Sequence, residues 1–130
     1  NRRIEIWKHL WGMIMKKPVF GHGPYKEYFY ENELYSESEY FMIAWRYGFV
    51  GLFLFLIFFI YPIKMASKFV HTEMGMNLLL VTVFLAVSCS ANNPFTHKTI
   101  IVLYGMTIGL FLNFRRTLLK KEEIKKEMDD

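Results

Sequence analysis

The sequence predicts an all-α fold, a fragment of a polytopic integral membrane protein in which an outer loop with an interfacial helix is followed by three transmembrane helices. Three observations carry this. No Asp, Glu, Lys or Arg occurs across residues 74–97, 47–63 and 99–114, gaps of 24, 17 and 16 residues, close to the roughly 20 apolar residues that carry a helix across about 30 Å of hydrocarbon. Residues 1–40 are too polar to span, with six basic and six acidic side chains, yet they hold a helical 3.6-residue repeat. Clusters of Pro, Gly and Asn separate the segments where turns are needed.

In chain order, residues 1–40 are the end of a large outer loop containing an amphipathic helix over residues 3–17. Ile4, Trp7, Leu10, Trp11 and Ile14 fall on one face of it, and Glu5, Lys8, His9 and Lys16 on the other. Such a helix lies along the membrane interface, with its tryptophans at headgroup depth. Pro18 ends it, and Gly21, Gly23 and Pro24 make a turn. The acidic, Tyr-rich stretch 25–40 follows as a loop or short helix. Residues 41–63 form the first span, with Pro62 and Lys64 marking its end. A loop over 64–73 returns the chain into a second span, 74–91, and Asn92, Asn93 and Pro94 open a turn over 92–98 before the third span, 99–114. The tail, 115–130, is polar and helix-prone, with Arg115, Arg116, Lys120 and Lys121 placed to hold anionic lipid headgroups. The tail carries six Lys and Arg, the 64–73 loop two and the 92–98 turn one. This bias puts the tail and the first loop in the cytoplasm and residues 1–40 outside. The chain reads as the C-terminal part of a longer protein whose N-terminal spans pack against it, with no signal peptide of its own.

Several chemistries are disfavoured. The lone Cys89 lies in an apolar stretch, which excludes a disulfide within the chain and favours a core hydrophobe. No HExxH accompanies His9 and His22, or His71 and His97, so no metal is expected. No GxSxG marks a nucleophile. Nothing in the sequence points to a cofactor or to nucleic acid. Gly21-His22-Gly23 could offer backbone amides to a phosphate but follows a helix rather than a strand. Arg3 sits on the apolar face beside Trp7 and Leu10, where a cation needs an anion or must snorkel. Arg46 lies six residues into an apolar run and needs a partner, for which Glu37, Glu39 and a lipid phosphate are candidates. Arginines, carboxylates and aromatic rings thus gather at the outer surface. Guanidinium groups pair with phosphate, carboxylates bind or deprotonate hydroxyls, and Trp and Tyr rings stack on pyranoses, so the set suits a diphosphate-linked glycan as well as an aromatic belt.

The order of short motifs adds to this. Arg3 and Trp7 read R-x-x-x-W, and Pro18, Gly21 and Gly23 read P-x-x-G-x-G. Glu37, Ser38, Glu39 and Tyr40 form an acidic cluster before an aromatic, and residues 47–52 read Y-G-F-V-G-L. Over about residues 3–56 the chain resembles the O-antigen polymerase and ligase superfamily, bacterial polytopic enzymes of GT-C type. The resemblance implies transfer of glycans from undecaprenyl diphosphate without a nucleotide sugar or metal. It also implies a bacterial inner, or cytoplasmic, membrane location, with flippase and chain-length regulator proteins as further partners. Arg3 matches the loop arginine that holds the diphosphate, while Arg2 and Arg46 match no motif. Ligases of this superfamily carry a histidine eleven residues before the first glycine of the last motif; here that position is Glu37, which favours a polymerase of repeat units over a ligase. Arg3, Glu37 and Glu39 are therefore the catalytic candidates. Arg2, Arg46, Trp7, Trp11, Gly21, His22, Gly23 and Tyr40 are the substrate-binding ones. A ligase with an altered base, and a non-catalytic transporter or flippase component with Arg46 lining its path, are the alternatives.

Overall fold

The computed structural model describes residues 2–25, 27–32 and 36–130, and the side chains of these residues except Phe29 and Tyr30. Asn1, Lys26 and residues 33–35, which belong to the predicted outer loop, lie outside the described residues. Five α-helices follow one another: α1 (Arg2–Ile14), α2 (Glu27–Glu31), α3 (Glu39–Ser67), α4 (Glu73–Ala91) and α5 (Lys98–Asp129), with a 3₁₀ turn at Pro94–Thr96 and no strand among the described residues. Two helices, α3 and α4, are long and apolar enough to cross a membrane. The uncharged part of α5, residues 99–114, is 16 residues long, and the polar tail continues the same helix to Asp129.

α1 ends three residues earlier than the periodicity suggested. Lys16 N–H donates to Met13 at 3.0 Å and Lys17 N–H to Ile14 at 3.2 Å, tight i to i−3 bonds that close the helix because Pro18 disfavours α geometry at the residue before it. The buried face is also rotated from the one predicted. Leu10 and Ile14 are buried, with Ile6 and Met13 beside them, whereas Ile4 and Trp11 are exposed. This face lies against Ala44 and Trp45 at the start of α3.

α3 is not a single straight rod. Gly48 has φ 67° and ψ −165°, a conformation that only glycine adopts readily, and it divides α3 into segments 39–47 and 49–67. The first segment packs parallel to α1, with Trp7 stacked on Phe41 at 5.3 Å, and just past the break Phe49 lies edge-on to Trp11 at 6.3 Å. The break frees helix carbonyls and amides, and the turn after α1 takes them up. His22 N–H donates to the Trp45 carbonyl (2.8 Å) and Gly23 N–H to that of Arg46 (2.9 Å), while Phe49 N–H donates to Pro18 (2.7 Å) and Val50 N–H to Val19 (3.4 Å). The two chains approach closely. A Cβ on Gly21 (φ 71°) would lie 2.6 Å from the Arg46 carbonyl and the Gly48 nitrogen, and one on Gly48 would run into the backbone of Pro18 and Val19. The P-x-x-G-x-G turn and the Y-G-F-V-G-L segment are thus two halves of one joint.

The uninterrupted helical segment is therefore 49–67, where a single span over 41–63 was expected. Pro62, expected at the end of the span, lies inside the helix. Proline has no N–H for the carbonyl four residues back, which is that of Phe58. The Tyr104 hydroxyl from α5 lies 3.4 Å from this oxygen and 3.2 Å from Thr82 Oγ1 on α4. A neighbouring helix so satisfies the acceptor that Pro62 leaves open, as an apolar surround requires. Tyr104 and Phe111 of α5 are buried with Phe59, Met65 and Ala66 of α3 and Leu78, Leu85 and Cys89 of α4. Outward, Phe53, Leu54, Ile60, Leu80, Phe84, Val87, Val102 and Leu110 are exposed, an apolar surface of the kind that lipid or further helices cover.

Candidate functional site

At the end of the α1/α3 pair remote from the Gly48 joint, the Arg3 guanidinium forms a salt bridge with the Glu37 carboxylate. Both side chains are half exposed. The first motif and the acidic cluster, 34 residues apart at Arg3 and Glu37, therefore meet. The parallel packing of α1 on segment 39–47 brings them together: Leu10 and Ile14 lock against Ala44 and Trp45, and at the N-terminal end of the pair Arg3 lies over Glu37. Arg2 beside it is exposed.

Next to this pair the chain enters α3 through buried polar residues. Ser36, Ser38 and Glu39 are all buried. Ser38 is the N-cap of α3 but makes no capping bond; its hydroxyl donates to the Cys89 carbonyl at 3.2 Å. Asn93 Nδ2 donates to the Ser36 carbonyl at 2.7 Å, and Glu39 N–H to that of Asn92 at 3.3 Å. The acidic cluster is thus anchored to the turn between α4 and α5. Glu39 is only 6% exposed, and its Oε2 has no hydrogen-bond partner among the described residues. Burial pushes its carboxyl above the ordinary range, and the Phe95 backbone N–H and the charge of Arg46 pull it back. Arg46 lies two helical turns further on, on the α1 side of the Gly48 break, and its Nε is buried without a hydrogen-bond partner among the described residues. The charge that looked costly within a span is placed ahead of segment 49–67.

The predicted sugar platforms divide. One side of Trp7 faces Phe41, and its indole Nε1 is buried. Trp11 is 51% exposed and keeps ring surface open. Tyr40 is partly buried, its hydroxyl donating to the Ala86 carbonyl at 2.5 Å and its ring edge-on to Phe55 at 5.8 Å, so it ties α3 to α4. The amides of Gly21, His22 and Gly23 all donate to backbone carbonyls, which leaves none of them for a phosphate. The His22 ring does face a cleft. It stacks on Trp45 at 5.0 Å and its Nε2 lies 2.7 Å from the Met13 carbonyl. Tyr28 also stacks on Trp45, at 5.6 Å. Together with Met13, Tyr25, Glu27 and Glu31 these rings enclose about 350 Å³. Glu27, Glu31, Tyr25 and Tyr28 escaped sequence reasoning, since no motif covers them; the acidic, Tyr-rich composition of 25–40 was their only signal. No group of three or more His, Cys, Asp or Glu that could hold a metal is found among the described residues.

Residues 1–56 match the family described as O-antigen ligase. The match covers the stretch that carries the R-x-x-x-W, P-x-x-G-x-G and Y-G-F-V-G-L motifs, and the resemblance read from those motifs holds. No curated protein and no solved structure matches the chain. The chain is thus similar to this family over residues 1–56, and two of its helices, α3 and α4, are long and apolar enough to cross a membrane.

Proposed function

With residues 1–56 similar to the O-antigen ligase family, we propose that the chain is the C-terminal part of a polysaccharide repeat-unit polymerase, a metal-independent glycosyltransferase acting at the outer face of a bacterial inner membrane. Three spans, including residues 99–114, would hold it there, with the tail in the cytoplasm. Its substrates would be oligosaccharides on undecaprenyl diphosphate, and its product O-antigen, capsular or exopolysaccharide. The observation that carries this reading is the Arg3–Glu37 salt bridge. It couples an anion-binding guanidinium to a carboxylate at the position where ligases carry their histidine.

The pair supports a simple sequence of events. A diphosphate entering the site competes with Glu37 for Arg3, because phosphate oxygens accept the same bidentate hydrogen bonds as a carboxylate. Glu37, so released, accepts the proton of the acceptor sugar hydroxyl. The hydroxyl oxygen bonds to the anomeric carbon of the donor as the carbon–oxygen bond to the diphosphate breaks, and the charge that develops on the diphosphate is stabilised by Arg3, with Arg2 nearby. Buried Glu39 and half-buried Arg46 hold the entry to α3 in place. Trp11 and the His22 cleft, with Tyr25, Glu27 and Glu31, offer rings and carboxylates to successive sugars.

The test is the lipid-linked and surface polysaccharide profile of cells whose full-length protein carries Arg3→Ala. Loss of the ladder with single repeat units still reaching the surface supports the polymerase. Polymer accumulating on the carrier points to a ligase, and an unchanged profile refutes a role for Arg3.

A further inference from the structure

At the opposite end of the bundle from Arg3 and Glu37, three cations from separate parts of the chain converge. Lys64 comes from the last turn of α3, Lys68 from the residue that caps it, and Arg115 from the middle of α5. With Tyr61, Met65 and Phe69 they line a cleft of about 250 Å³ that contains no carboxylate. Arg115 is held over it by a contact from Nη1 to Met65 Sδ at 3.8 Å, and Phe69 is fixed by its edge-on contact with Phe111 at 5.8 Å. Among the described residues no acidic side chain forms an ion pair with Lys64, Lys68 or Arg115. Three positive charges left together repel one another, and an anion between them removes that repulsion.

We infer that this cleft binds the phosphate of an anionic phospholipid headgroup. Phosphate chemistry follows from the cations: two flexible ammonium groups and one planar guanidinium with no competing acid. The apolar continuity decides for a lipid over a free phosphate. Ile57, Ile60 and Tyr61 on α3 are exposed, at 40, 52 and 62%, and run directly into the cleft, so acyl chains can lie along α3 while the headgroup reaches the cations. Tyr61 sits at the junction, where an amphipathic ring favours the headgroup level. The sequence assigns lipid contacts to the tail basic cluster alone; the fold takes one member of that cluster, Arg115, and joins it to two lysines some 50 residues away. The site is independent of the glycan-transfer reading.

The test uses purified, delipidated full-length protein titrated with phosphatidylglycerol or phosphatidylcholine and read by native mass spectrometry. Each Lys or Arg near the surface accounts for about fivefold in affinity for anionic lipid at low salt, so Lys64→Gln/Lys68→Gln/Arg115→Gln should lose about a hundredfold. The matched triple Lys121→Gln/Lys125→Gln/Lys126→Gln, which removes the same charge from outside the cleft, should keep phosphatidylglycerol binding. Unchanged phosphatidylcholine binding and circular dichroism report that both variants are folded. Equal loss in the two triples would show diffuse charge attraction and overturn the site. Full displacement of the lipid by inorganic phosphate would overturn the lipid assignment in favour of a simple anion site.

Discussion

Gly48→Ala is the most informative single perturbation, because the joint at Gly48 is set by backbone geometry alone. The residue sits at φ 67°, ψ −165°, where a side chain costs about 1–3 kcal/mol in strain. The added Cβ also meets the backbone of Pro18 and Val19, which cannot swing aside as a side-chain tip would. Relief requires the turn and the helix to part, which breaks the bonds from Phe49 to Pro18 and from Val50 to Val19. At about 0.5–1.5 kcal/mol each, these two bonds add about 1–3 kcal/mol. The expected destabilisation of the joint is therefore about 2–6 kcal/mol. Gly12→Ala is the control: a Cβ there meets nothing within 4 Å, and in a helix interior the same change should stabilise by about 0.5–1 kcal/mol. Hydrogen exchange of the full-length protein in detergent, followed over peptides covering residues 18–24 and 46–52, reads the opening of the joint directly. Gly48→Ala should accelerate exchange there by at least about 30-fold, and Gly12→Ala should not. Equal protection in the two variants would refute the close-approach argument.

Four further outcomes follow from burial and pairing. Burial raises the Glu39 carboxyl above its ordinary value of 4.5, so the folded chain keeps that proton to higher pH than the unfolded one. Stability should fall as pH climbs from about 4.5 through the raised folded value, and Glu39→Gln should flatten this dependence in denaturation measured across pH 4 to 8; a parallel curve would sink the assignment. Trp45→Ala, which removes a ring 2% exposed and stacked upon by His22 and Tyr28, should cost about 3–5 kcal/mol. Trp11→Ala, at a half-exposed ring, should leave denaturation nearly unchanged and instead shorten the polysaccharide ladder. Tyr104→Phe leaves the Phe58 carbonyl and the Thr82 hydroxyl without a partner, and a loss of about 0.5–2 kcal/mol is expected, the range for hydrogen bonds between membrane helices.

Helix identity and order were legible because the charge gaps and the 3.6-residue repeat are local signals. The breaks within helices were not. Residues 41–63 read as one span because Gly48 is an ordinary residue in a hydropathy profile; its positive φ depends on the turn at Pro18–Gly23, some 25–30 residues earlier in the chain. Pro62 read as an end for the converse reason. Nothing near it in sequence reveals that Tyr104, from another helix, satisfies the Phe58 carbonyl. Among site residues, Arg3 and Glu37 were found through motif positions. Their contact was out of reach, since it needs the parallel path of α1 along segment 39–47. Tyr40 looked like a sugar platform because its hydroxyl partner, the Ala86 carbonyl, is a backbone atom that no side-chain pattern can announce.

The geometry also explains why these short motifs stand in this order along the chain. α1 and segment 39–47 form a helical pair closed at one end by the glycine joint and at the other by Arg3 and Glu37. The register of the pair, and with it the position of Arg3 over Glu37, is set at the joint. There Gly21 and Gly48 let two backbones approach to distances that no other residue permits. The glycines contact no substrate in the proposed reaction, yet a displaced joint would slide α1 along α3 and separate the guanidinium from the carboxylate. Gly21→Ala should then reduce polymer formation nearly as far as Arg3→Ala while leaving both charges in place. Polymer formation at the wild-type level in Gly21→Ala, with the joint shown open by hydrogen exchange, would detach the joint from the site.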